Sequence, residues 1–155
     1  MNIRPMTLAD LESVLAIEES CFPDPWKDYQ FKNELTAKAA FLFVMLEMGK
    51  VIAYGDIWLT FDSADITNIA VHPNWQGKGY GKKMLCYLLK FAQKEAVADV
   101  HLEVNVNNSA AFKLYKKTGF EIVRTRKAYY SDGSDAYDMV LRLGEYDAED
   151  FGNRK

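Results

Sequence analysis

A chain of 155 residues with 49% hydrophobic, 14% aromatic and 26% charged side chains has the make-up of one soluble globular domain, and this excludes a protein disordered as a whole. A net charge of −3 argues against a general nucleic-acid binder, which carries a basic stripe, so no nucleic-acid partner is expected. Two cysteines, Cys21 and Cys86, form neither a disulfide framework nor a metal-ligand cluster, so a reduced cytoplasmic setting and no metal are expected.

The start, Met1-Asn2-Ile3-Arg4-Pro5, lacks the pattern of a secretory signal, and the apolar run Ala39 to Leu46 is too short to span a bilayer. No membrane partner is expected. Ile3 to Met6 reads as a short strand, and Thr7 to Asp10 as a helix start resembling a capping box. Leu8, Leu11, Val14, Leu15 and Glu18 then follow helical spacing along one face. Pro23 and Pro25 stop that helix and set an extended loop carrying Phe22 and Trp26. A second helix is expected over Asp28 to Leu35, with Phe31 and Leu35 on one face.

Three strands follow, Phe41 to Met48, Val51 to Leu59 and Asp65 to Val71, with turns at Gly49-Lys50 and Asp62-Ser63 short enough for antiparallel hairpins. A long helix is expected over Met84 to Ala98, its apolar face made by Met84, Leu85, Leu88, Leu89 and Ala92. Val100 to Val104 reads as a strand and Asn108 to Thr118 as a helix, with Gly119 placed for a left-handed C′ residue. Strands over Phe120 to Thr125 and Tyr137 to Leu143 complete one α/β domain, 1–143, with a mixed sheet in the order β-α-α-β-β-β-α-β-α-β-β. Residues 144–155 are acidic and read as a loosely held tail.

The informative stretch is Val71-His72-Pro73-Asn74-Trp75-Gln76-Gly77-Lys78-Gly79-Tyr80-Gly81-Lys82-Lys83, three glycines where a strand gives way to a helix. Glycines let successive N–H groups approach an anion, and the helix N-terminus adds unsatisfied donors. A P-loop is excluded, because Gly81-Lys82 is followed by Lys83 and Gln76 stands where the first glycine is needed. A dinucleotide fingerprint fits poorly, its third glycine coming one residue early. A ligand-free turn is the plain reading that remains.

The same residues resemble the Q/R-x-x-G-x-G/A acetyl-CoA signature of the GNAT N-acetyltransferases. That resemblance implies the GNAT fold, a mixed, mostly antiparallel sheet flanked by helices, and acetyl-CoA as acetyl donor. It further implies that Ile69, Ala70 and Val71 contact the donor through the backbone, and that Gln76, Gly77, Lys78, Gly79, Tyr80, Gly81 and Lys82 cradle its pyrophosphate. A second block, Leu102-Glu103-Val104 followed by Asn108 through Tyr115 and Gly119-Phe120, resembles the RimI-type protein N-terminal acetyltransferases. Phe22-Pro23-Asp24-Pro25-Trp26 and Arg126 with Tyr129-Tyr130 match that family as well, and Tyr129 to Tyr137 is similar to the archaeal and eukaryotic N-terminal acetyltransferases.

Chemistry asks for a base and an acid. An α-amino group has a reference pKa of about 7.7–8.0, so it must lose a proton to attack a thioester, and the departing thiolate needs one. The resemblance assigns these roles to Glu103 and Tyr115, with Asn108 contacting the donor; the aromatic residues Phe22, Trp26, Tyr129 and Tyr130 are candidates to wall a slot for an extended peptide end. The plain readings are a glutamate at a solvated edge or in a salt bridge, a core tyrosine with its hydroxyl at the edge, and loop aromatics packed over a sheet. His101 shares the strand face of Glu103 and is the fallback base; His72 lies in the turn before the loop, and Arg126 and Lys127 read as solvated charges. The implied activity is acetylation of a protein's N-terminal α-amino group by direct attack, a small-subunit ribosomal protein being the leading acceptor. Two alternatives stay open: acetylation of a small-molecule amine or lysine side chain, and a non-catalytic CoA-binding module.

Overall fold

The structure is a computed structural model that describes residues Asn2–Glu145. Its seven strands hydrogen-bond in the order β1-β2-β3-β4-β5-β7-β6, where β1 is Asn2–Pro5, β2 Ala40–Glu47, β3 Lys50–Thr60, β4 Ser63–Val71, β5 Asp99–Asn105, β6 Glu121–Arg126 and β7 Ala136–Arg142. Helices α1 (Leu11–Cys21), α2 (Asp28–Thr36), α3 (Tyr80–Lys94) and α4 (Ser109–Thr118) are interleaved in the expected order. The fold is the mixed, mostly antiparallel α/β arrangement expected. The described residues cluster into two compact units, 2–58 with 67–88, and 59–66 with 89–145.

In the first unit, β1 pairs antiparallel with β2, and β2 with β3. The β2–β3 turn is Met48-Gly49, with φ of 53° and 79°, one residue earlier than expected; two positive-φ residues twist as a two-residue hairpin requires. A core of Met6, Val14, Ile17, Phe31, Leu42, Val44, Tyr54 and Ala70 is flanked by Leu11, Leu15, Phe22, Trp26 and Leu35. Ile17 and Phe31 are each at most 1% exposed, and burying such a side chain contributes roughly 1.5–3 kcal/mol. Leu8, expected on the buried stripe, is 64% exposed. It belongs to a separate 3-10 turn, Leu8–Asp10, which puts it out of phase with α1. Asp10 reaches back to accept the Thr7 N–H at 2.9 Å, half of the expected box, and also takes Arg4 in two hydrogen bonds. On β3, Gly55 admits α3 closely: an added Cβ would lie 3.0 Å from Leu88 and Met84.

The same strand carries an acid where apolar residues are the rule. Asp56 is fully buried, Trp58 donates to Glu34 at 2.8 Å, and burial, with the Glu34 carboxyl beside it, pushes Asp56 from 3.8 up to about 9. The folded state therefore keeps a proton that the unfolded chain releases above its ordinary value. The stability this supplies is full below about pH 4 and is lost as pH rises toward 9. In thermal melts between pH 5 and 9, Asp56→Asn is expected to flatten the alkaline decline of the wild type; parallel melting curves would contradict the assignment.

In the second unit, β4 runs parallel to β5 over Ser63–Ile66, and β5 and β6 pair antiparallel with β7. The predicted long helix lies earlier than expected: α3 begins at Tyr80, not Met84, and ends at Lys94, not Ala98. Ala96 turns left-handed at φ 60°, its N–H donates to Gln93 at 3.0 Å and the Val97 N–H to Ala92 at 3.4 Å. This is a Schellman closure built without glycine, and Val97 turns inward as its apolar partner. The expected face of α3 holds: Met84, Leu85, Leu88, Leu89 and Ala92 are fully buried. Gly119 takes its left-handed place after α4 at φ 117°. Of the expected tail, Gly144 and Glu145 fall in a 3-10 turn, and the rest lies outside the described residues.

Candidate active site

In the first unit, β4 delivers the chain to His72, a 3-10 turn over Pro73–Trp75, and the loop Gln76 to Gly79. Gly77 and Gly79 stand at φ 76° and 88°, and an added Cβ at either would meet nothing within 4 Å. Both therefore serve the backbone path and the open space above it. Lys83 is the residue whose N–H returns to Gly79, at 3.2 Å, so the N–H groups of Tyr80, Gly81 and Lys82 have no intrahelical partner. The third glycine, Gly81, is thus inside the first turn of α3 and adds no side chain there. These donors, the positive helix end and the neighbouring lysines fit an anionic phosphate group.

Around the loop, the Lys78 ammonium lies 5.4 Å from the centre of the Trp75 ring and Lys83 lies 5.3 Å from that of Tyr80. The Tyr80 hydroxyl donates to Glu47 at 3.3 Å, and that carboxylate follows burial in raising the phenol's pKa. Gln76 turns its side-chain amide back to the Val71 carbonyl, at 2.9 Å. His72 accepts the Asn74 N–H on Nδ1 at 3.1 Å and so caps the 3-10 turn. Its own N–H donates to Ile52 at 2.8 Å, so alternation turns the N–H groups of Val71 and Ile69 to the opposite edge of β4 from that of Ala70. The registered pairing of β4 with β5 covers only Ser63–Ile66. Phe22 and Trp26 are half-buried against the first unit's core, Trp26 with its ring centre 5.2 Å from that of Phe31.

The second unit gathers the other expected residues. Alternation along β5 buries Val100, Leu102 and Val104 and turns His101 and Glu103 to the other face. Glu103, with its side chain 41% exposed, lies 3.7 Å from the Arg126 Nε, and the Tyr129 hydroxyl bonds its carboxylate, which raises that phenol. The Arg126 guanidinium sits 5.5 Å from the Tyr129 ring, and Tyr129 meets Tyr130 edge-on at 5.1 Å. Burial first, and the Glu103 charge second, push Tyr130 up to about 12. Tyr115 on α4 is 9% exposed; burial and then the nearby Tyr130 push it to about 12, so its phenol keeps its proton at neutral pH. Asn108 caps α4, its Oδ1 accepting the Ala111 N–H at 3.2 Å. His101 lies one pleat repeat away, in register with Asp65 and Val140.

The sequence reading missed two aspartates here. Asp138 accepts Arg124 and Arg126, each at 2.9 Å, so these arginines are paired and not simply solvated. Asp135 accepts the Ala128 N–H at 2.8 Å and lies 3.3 Å from the Lys127 ammonium, tying both ends of the turn that presents Tyr129 and Tyr130. Both lie in or beside the segment Tyr129 to Tyr137, whose sequence signal is its resemblance alone. Among the described residues there is no cluster of potential metal ligands, and no helix is long and apolar enough to cross a membrane.

The sheet and its strand, glycine loop and helix step are the α/β arrangement of the GNAT acetyltransferase fold. The acetyltransferase (GNAT) family pattern matches residues 11–120, and the chain belongs to that family, whose members use acetyl-CoA. Within it, the similarity runs to the RimI-type enzymes. The ribosomal protein bS18-alanine N-acetyltransferase of Escherichia coli is 32% identical, over 92% of this chain and 97% of its own length. The N-alpha-acetyltransferase RimI of Mycobacterium tuberculosis is 32% identical over 94% of each chain. The crystal structure of the Escherichia coli ribosomal-protein-S18-alanine N-acetyltransferase superposes with a TM-score of 0.86, covering 92% of this chain and 93% of that one.

Proposed function

We propose that this protein transfers the acetyl group of acetyl-CoA to the N-terminal α-amino group of a protein, a small-subunit ribosomal protein being the leading acceptor. The supporting observation is that the second unit holds both a half-exposed carboxylate, Glu103 on β5, and a buried, protonated phenol, Tyr115 on α4. The names of the relatives point to the same acceptor class. Acetyl-CoA supplies a thioester carbonyl for the amine to attack and a thiolate to leave. Gln76, Gly77, Lys78, Gly79, Tyr80, Gly81 and Lys82 hold the donor's pyrophosphate with backbone N–H groups and lysine charge, and Ile69, Ala70 and Val71 hold its arm. The Val71 N–H stabilises the carbonyl oxygen as charge develops there. Glu103 takes the proton from the amine as the nitrogen–carbon bond forms; Tyr115 gives one to the sulfur as the carbon–sulfur bond breaks. Asn108, whose oxygen caps α4, positions Tyr115 and offers its amide nitrogen to the donor. Phe22 and Trp26 in the first unit, and Tyr129 and Tyr130 in the second, are the aromatic side chains offered to the acceptor.

Gly79→Ala tests the cradle. A side chain at φ 88° costs about 1–2 kcal/mol, so the loop relaxes and calorimetry should read acetyl-CoA binding weaker by roughly tenfold. Unchanged affinity would remove the loop from the donor site. The acceptor is tested by turnover on free N-terminal peptides against α-amine-blocked, lysine-containing peptides, polyamines and amino sugars. The proposal expects the free N-termini to lead, and a lead for any of the others would overturn it.

A further inference from the structure

Glu18 is an acid in the first unit's core. It sits on α1 at 2% exposure, beside the fully buried Val14 and Ile17. Among the described residues no basic side chain pairs with it; three neutral donors do. Oε2 accepts the Trp26 N–H at 2.9 Å, and Oε1 accepts the Tyr54 hydroxyl and the Asn68 amide, the latter at 3.0 Å. The Asn68 amide also lies 2.8 Å from the Tyr54 oxygen. Tyr54 is fully buried, and burial pushes its phenol far above the ordinary value, so it remains a donor at any working pH.

These contacts converge on the loop between α1 and α2. Pro23 and Pro25 have no N–H to anchor it. The Phe22 N–H donates to the Glu18 carbonyl at 3.1 Å, and the Trp26 N–H donates to the Glu18 carboxyl, so one residue holds both ends of the aromatic loop. The same carboxyl holds Asn68, which directly precedes Ile69, Ala70 and Val71 on β4. A buried polar group of this kind is commonly no more stabilising than apolar side chains of similar volume, so stability alone gives little reason for an acid here. What an apolar residue cannot do is fix the loop's backbone against a named position on β4.

We propose that Glu18 is a positioning residue for the acceptor: its carboxyl clamps the Phe22–Trp26 loop and registers it to the end of β4 through Asn68. The inference rests on the proposed acceptor role of that loop. It predicts a defined kinetic split. In Glu18→Gln, three donors face a side chain with one acceptor oxygen and an amide, so at least one donor loses its partner. The acceptor KM should rise about tenfold while the acetyl-CoA KM stays within about twofold, and hydrogen exchange at the Trp26 amide should quicken. Tyr54→Phe keeps the Trp26 contact and removes one donor from Oε1; it should raise the acceptor KM in the same direction by less, and it decides the matter if Glu18→Gln does not fold. A merely structural Glu18 would lower the melting temperature and the active fraction with both KM values unchanged, and that result overturns the proposal. Wild-type turnover on free N-termini reports separately on the acceptor assignment. Should the wild type prefer another amine, that amine's KM and Trp26 exchange give the same test of the clamp.

Discussion

Tyr115→Phe is expected to lower turnover by about 10²–10⁴-fold while acetyl-CoA binding, read by calorimetry, stays as in the wild type. The span corresponds to roughly 3–5.5 kcal/mol of transition-state stabilisation, the range of one general acid. The substitution removes the hydroxyl and leaves the ring, which packs with its centre 5.8 Å from that of Phe120 at the end of α4. Packing loss is therefore small, and a fall in turnover reports the proton. A phenol held near 12 stays protonated through the working range and donates as the thiolate departs. Steady-state CoA release is the measurement; an unchanged turnover number would take the acid role from Tyr115.

Glu103→Gln should produce a loss that depends on pH. At pH 6.5 roughly one α-amine in twenty is neutral, and near pH 9 most are, so a base matters most at the acid end. The loss in kcat/KM is expected to be largest between pH 6 and 7 and to shrink toward pH 9. Collapse of the surrounding network does not mimic this. Arg126 is nearer to Asp138, at 2.9 Å, than to Glu103, at 3.7 Å, and so keeps its main partner. The exposed Arg126–Glu103 pair is screened by solvent and adds little of its own. A variant profile parallel to the wild type's would move the base elsewhere, to His101 or to a relayed water.

The order of elements was legible because period-2 and period-3.6 patterns are written in the apolar residues of β3, β4, α1 and α3, and because Pro23, Pro25, Gly49 and Gly119 mark real breaks. The ends of α3 were not. Its start was hidden because Gly79 and Gly81 look like loop, while Gly81 lies in the first turn; its end was hidden because Ala96 holds a left-handed position that glycine normally marks. Glu18 fitted the helical stripe of α1, and its burial followed, but its partners Tyr54 and Asn68 lie on strands far along the chain. Glu103 and Tyr115 were reached through resemblance combined with the need for a base and an acid. Asp138 was out of reach because it depends on register. A bulge between Ile122 and Arg124 shifts the β6–β7 pairing, so that Arg124 and Arg126 converge on the one carboxylate. For Phe22 and Trp26, candidates for acceptor walls, the structure shows packing on the core, the plain reading of loop aromatics.

The most direct measurement is to acetylate an unbiased library of peptides with free N-termini and internal lysines, then locate each acetyl group by tandem mass spectrometry. The account predicts label on the α-amine, with a preference among first residues and little on lysine. Label confined to lysine side chains, or none on any peptide while small amines are turned over, would contradict it.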